Sequence, residues 1–133
     1  MATDWSHLVN AVHIDHVLAN LTANPDSWTA AYRDADIIEA AYQSARGTAN
    51  IIVRSDARIA AWNAARDATN GSMWASWTAA KNAILALIAY DDCAYLLDEK
   101  PSDVNILALL GNPAAVLLAP ACIALYKPTK EIK

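Results

Sequence analysis

Apolar residues recur at helical spacing along most of the chain, and the longest uninterrupted run of that pattern, residues 72–98, predicts the central helix of an all-α bundle. On a helical wheel Trp74, Trp77, Ile84, Leu85, Ile88, Tyr95 and Leu96 share a sector roughly 120° wide, a stripe suited to a core. Leu87, Tyr90 and Leu97 fall outside it, so the second half is apolar nearly all round and needs neighbours on several sides. Lys81, Asp91 and Asp92 lie inside or at the edge of the sector. A carboxylate there has to pair, accept hydrogen bonds, or shift its pKa upward.

The other segments repeat the theme. Residues 4–22 read as helical, but Trp5, Leu8, Val9 and Val12 point opposite to Ile14, Val17, Leu18 and Leu21. That phase change predicts a break near residues 12–14 or a helix clasped between two layers. Asn24, Pro25 and Asp26 mark a stop and a restart, and a second helical unit then runs to a C-terminal stop at Gly47. A third unit spans 48–69, with Ile52, Ser55, Ile59, Trp62, Arg66 and Thr69 as its inward stripe. A tight turn at Asn70 and Gly71 would fold it antiparallel onto 72–98. Pro101 starts a short helix ending at Gly111, and Asn112 with Pro113 starts the last one, whose apolar run Pro120 should kink or divide. The expected architecture is a compact bundle of about five or six helices, closed by a C-terminal apolar hairpin. Residues 1–126 form one helical domain in this reading, and 127–133 are a polar tail.

Composition sharpens this picture. With 56% apolar residues against 18% charged, abundant alanine and no phenylalanine, the chain favours close helix packing over sheet. A net charge of −4 argues against a partner recognised through its phosphates, so nucleic acid is set aside. The run 104–126 is interrupted by asparagines, a glycine and prolines, short of the roughly 18–20 continuous apolar residues that a membrane span needs. The start of the sequence lacks the basic and apolar regions of a secretory signal. Cys93 and Cys122 have no CxxC spacing and read as buried free thiols. The echo of SWTAA at 27–31 and 76–80 is shared helix-face grammar rather than a repeat.

Candidate chemistry is sparse. Asp91 and Asp92 on an apolar helix are of the kind that serve as acid and base or bind a cation. Neighbours on a helix diverge by about 100°, however, so structural ion pairing with Arg46 or Arg54 is the preferred reading, while Arg66 would sit beside Trp74 and Trp77 with a tryptophan or a carboxylate as its partner. His13 and His16, at i and i+3, suit a shared metal ion but lack an evident third ligand. Of the five tryptophans, Trp5, Trp28, Trp74 and Trp77 are the candidate interface anchors. The three glycines read as helix stops, not a nucleotide loop, and nothing calls for a cofactor.

Three blocks carry a resemblance: AWNAARDA at 61–68, ALIAYDDC at 86–93 and LLGNPAAVLL at 109–118. Across roughly residues 57–125 the chain resembles a group of small alanine- and tryptophan-rich proteins of tailed bacteriophages. The resemblance brings no activity with it. It implies a viral origin and a place in the bacterial host cytoplasm or in the virion. The leading expectation is a non-enzymatic interaction protein, either a capsid or tail accessory or an early protein that binds a host factor. Its partner would be a protein: itself, a virion protein or a host protein. The alternatives are a small helical enzyme or ligand-binding protein using Asp91 and Asp92, and a membrane-active protein acting through 104–126.

Overall fold

The computed structural model describes residues 9–35, 37, 39–53, 55–68 and 74–125, with backbone only at 55–58, 61 and 74. Among them are seven α-helices, one 3-10 segment and no strand. The helices are α1 (Ala11–Ala23), α2 (Pro25–Asp34), α3 (Glu39–Ile52), α4 (Ser55–Ala68), α5 (Trp74–Ala89), α6 (Pro101–Leu109) and α7 (Pro113–Leu125), with the 3-10 segment Ala94–Asp98 between α5 and α6. Proline begins α2, α6 and α7, where its missing N–H costs nothing and its fixed φ suits the first turn.

Two helices share the centre. α5 packs against α1, α2, α3, α4 and α7, and α7 packs against α2, α3, α5, α6 and the 3-10 segment. Every residue of α7 from Ala114 to Cys122 is buried. Their buried alanines, among them Ala79, Ala80, Ala83 and Ala86 on α5 and Ala115, Ala119 and Ala121 on α7, present only methyl groups. Ile84, Leu85, Leu117 and Leu118 fill the space between layers, with Ile14, Val17, Leu21, Trp28 and Tyr42 arriving from the other helices.

The seventh helix comes from one break that apolar periodicity did not reveal, and a second such break moves a boundary that was expected at Gly47. The expected second unit divides into α2 and α3 around residue 37, and Gly47 sits inside α3, exposed, without ending it. α3 then runs on to Ile52 and bends at Val53 before α4 restarts. This bend re-phases the third unit. Ala49, Val53 and Ala65 face the core, while Ile52, Ile59, Trp62 and Arg66 of the expected inward stripe face outward.

The central helix is also shorter than its pattern. α5 stops at Ala89, Tyr90 N–H makes a last 2.9 Å bond to the Ala86 carbonyl, and the chain turns at Asp91 and Asp92. A continued helix would carry both carboxylates toward the apolar sector; the turn leaves them exposed. The C-terminal hairpin forms as expected, but α7 continues through Pro120, which is itself buried. At the other end, a turn at residues 9 and 10 precedes α1, which buries Ile14, Val17 and Leu21 and leaves Val12 in water. The phase change therefore coincides with the helix start. Trp5, His7, Arg54, the turn at 70 and 71, and the tail 127–133 lie outside the described residues. Among the described residues no helix is long and apolar enough to cross a membrane.

Gly111 closes α6. Its φ of +93° lets the Asn112 N–H reach the Leu107 carbonyl at 3.1 Å and its own N–H reach Ala108 at 3.0 Å, the double bond of a Schellman cap. A Cβ added at Gly47 or Gly111 meets nothing within 4 Å, so backbone conformation alone decides both substitutions. Gly47→Ala is expected to stabilise the fold by about 0.5–1 kcal/mol. Gly111→Ala is expected to destabilise it by about 1–2 kcal/mol. Urea unfolding of the two variants beside the parent chain measures both signs.

Candidate functional site

Polar groups collect where α3 meets α5. Tyr42, Arg46 and Asn50 follow at four-residue spacing on α3, as Thr78 and Asn82 do on α5. The Arg46 guanidinium lies 2.7 Å from Glu39 Oε2 and donates at 3.5 Å to Asn82 Oδ1. Tyr32 stacks on Tyr42 with ring centroids 5.2 Å apart, and its hydroxyl donates at 3.5 Å to Glu39 Oε1. Burial raises the pKa of both phenols, and Glu39 adds to it. The Tyr42 hydroxyl, Asn50 Oδ1, Thr78 Oγ1 and Asn82 Nδ2 are buried without a hydrogen-bond partner among the described residues.

Lys81, flagged by its place in the apolar sector, is half-buried and finds aromatic rings instead of a carboxylate. Its Nζ stands 4.3 Å from the Trp77 ring centroid and 5.0 Å from that of Trp62. Burial lowers its pKa, with the Arg46 charge acting in the same direction and Glu39 opposing. Trp77 Nε1 donates to the Trp62 carbonyl at 3.2 Å, which ties α4 to α5.

A second feature lies at the far end of α5. A cavity of about 360 Å³ opens between the turn after α5, the 3-10 segment and the start of α7. Tyr90, Asp92, Cys93, Tyr95 and Asn112 supply its polar and aromatic wall. The Tyr90 hydroxyl is buried and unpartnered among the described residues, and burial raises its pKa, with Cys93 next in effect. Asn112 Oδ1 accepts from the Ala115 N–H at 3.2 Å, capping α7.

The residues expected to carry function are dispersed. Asp91 and Asp92 are exposed, and only Asp92 lines the cavity. Arg46 is engaged with Glu39 and Asn82, so the expected bridge from Arg46 to the aspartates is replaced by one within α3. Arg66 is exposed and donates to Asn63 Oδ1 at 3.1 Å. Trp28, expected as an interface anchor, is fully buried, with Nε1 donating to Asn20 Oδ1 at 2.9 Å. Trp77 is half-buried, and the Trp74 side chain lies outside the description. His13 is half-buried and His16 exposed; among the described residues no cluster of three metal-ligating side chains forms around them. Trp62, Glu39, Asn82 and Tyr90 were missed, although polar residues at four-residue spacing on apolar helices were a visible signal for the α3–α5 group.

No protein-family model, curated protein or solved structure matches the chain.

Both cysteines are buried free thiols. Cys93 Sγ donates to the Ala86 carbonyl at 3.4 Å and Cys122 Sγ to Leu96 at 3.1 Å. Burial, chiefly, pushes both up to about 12 from the ordinary 9.0. A thiol neutral in the fold but ionised in the unfolded chain contributes its stability in full below pH 9 and loses it as pH rises toward 12. The loss is up to about 1.4 kcal/mol per pH unit for each thiol. Stability of Cys122→Ala, measured by urea unfolding between about pH 9 and 11, should fall less steeply than that of the parent chain. An equal slope would show that Cys122 does not titrate in this way.

Thr78→Val keeps the side chain's shape and removes a hydroxyl that has no bond among the described residues. It is expected to leave stability unchanged or raise it by about 1–2 kcal/mol. A loss above that size, read by thermal and urea unfolding, would mean that the hydroxyl is paired.

Proposed function

We propose that the chain is a non-enzymatic protein-interaction component of a tailed bacteriophage, serving as a small capsid or tail accessory or binding a host factor. The observation that carries this reading is where large apolar side chains remain in water. At the end of α6, Leu109 and Leu110 are each 78% exposed, with Ile106 at 55% one turn earlier. At the α3–α4 corner Ile51 is 87% exposed, joined by Ile52, Ile59 and the edge of Trp62.

Single exposed leucines are common, but three together at the end of α6, and four spread over the end of α3 and the first half of α4, are the kind of surface that a protein partner covers. Trp62 adds an aromatic side chain of the type enriched where partners dock. The resemblance supplies the bacteriophage context, and two of its three blocks contain Trp62 and the Leu109 and Leu110 pair. The net charge of −4 favours protein over nucleic acid as the partner.

Light scattering of the purified chain, alone and mixed with purified virions or host lysate, tests the reading. A defined larger species is expected, and the double substitution Leu109→Asp with Leu110→Asp should weaken its formation by at least about tenfold without unfolding the chain. A monomer in every mixture would sink the proposal. So would association that survives both that substitution and Trp62→Ala.

A further inference from the structure

The cavity beside Asp92 has a wall of one chemical character. Asp92 brings a carboxylate, Tyr90 and Tyr95 bring electron-rich rings, and among the described residues no lysine or arginine lines it. Asp91 in the same turn is exposed and adds its charge beside Asp92, and both act on Cys93 in the wall. Tyr90 lines the cavity while its hydroxyl is buried, without a partner among the described residues, so its ring is what the wall offers. Cys93 is a neutral thiol already donating to Ala86 and adds no competing charge.

Beside the neutral Asn112 side-chain amide, the feature that would favour an anion is the positive end of α7. Its first turn, however, has few donors to give. Pro113 has no N–H, the Ala115 N–H is capped by Asn112 Oδ1, and the Val116 N–H bonds to the Asn112 carbonyl at 3.0 Å. At most the Ala114 N–H is left. Carboxylate and aromatic rings both favour a group that is positive and rich in N–H donors. A volume of about 360 Å³ accommodates a small organic cation or the end of a basic side chain.

We propose that the cavity between the α5 turn, the 3-10 segment and α7 binds a protonated amine or guanidinium group, paired with Asp92 and held against Tyr90 and Tyr95. The cation is either a free small molecule or an arginine or lysine side chain of a protein partner. This site goes beyond the apolar surfaces of the preceding reading and is read out separately from them.

The test is amide-resolved NMR titration of the full chain with methylguanidinium, propylammonium and, as the opposite charge, acetate. Saturable shifts confined to residues 90–96 and 112–115 are expected with the cations, at millimolar concentrations suited to ligands of this size, and none with acetate. Asp92→Asn should weaken cation binding by about tenfold or more, and Tyr90→Phe should weaken it less. Asp92 and Tyr95 are exposed, so Tyr95→Leu gives a second variant that keeps the fold and should also weaken binding.

An arginine-centred peptide that binds at least about tenfold more tightly than methylguanidinium would identify a partner side chain as the source. Equal affinity would identify a free cation. Absence of saturable cation shifts, equal shifts with acetate, or undiminished binding in Asp92→Asn would each overturn the proposal. The larger species seen by light scattering tests the apolar surfaces whatever this titration gives.

Discussion

Two crossing helices can approach closely only where their facing side chains are small, and α5 and α7 meet that requirement with rows of buried alanine. Close approach puts backbone against backbone, so dispersion contacts that larger side chains would make elsewhere are made by main chain and methyl groups. The remaining helices inherit their positions from this crossing. α2 and α3 rest on both central helices, α1 and α4 on α5, and α6 with the 3-10 segment on α7. Bulk is supplied from outside the crossing, by Trp28, Tyr42, Ile14 and Leu21, and that is why a chain without phenylalanine still fills its core.

The same steric rule explains what sequence could and could not reveal. The all-helical class and the C-terminal hairpin followed from periodicity and from prolines at helix starts. The burial of both thiols and the unusual position of Lys81 were also legible. In an alanine-rich chain, however, periodicity weakens as a guide to facing. Ala49 and Ala65 define the inward side of α3 and α4, yet Ile52, Ile59 and Trp62 dominate any hydrophobic average and point the other way. The bend at Val53 and the break near residue 37 carry no glycine or proline, so nothing local announced them. Gly47 announced a stop that the helix ignores, because one exposed glycine costs less than interrupting a helix whose Tyr42, Ala45 and Ala49 are buried.

The aspartates show the limit from the other side. Their charge was read as a demand for a partner inside a helix, whereas the chain met the same demand by ending the helix and turning both into water. That exchange moved Asp92 to a cavity rim and left Asp91 outside the wall. The cavity could not be read from the segment itself, because Asn112, Pro113 and Ala114 come from the start of another helix. The α3–α5 polar group is similar: Glu39, Arg46 and Asn82 become neighbours only once the break near residue 37 has aimed α3 along α5.

The position of α7 in the chain bears on how the protein is born. On the ribosome, α1 to α5 emerge before the helix that α2, α3 and α5 all pack against, and synthesis of that helix trails the end of α5 by a time on the order of seconds. Until then the methyl-lined faces of α5 have no α7 to close on, and the nascent chain exposes them. Native packing of these elements therefore waits for release of residues 113–125, which makes closure of the core a late event in synthesis.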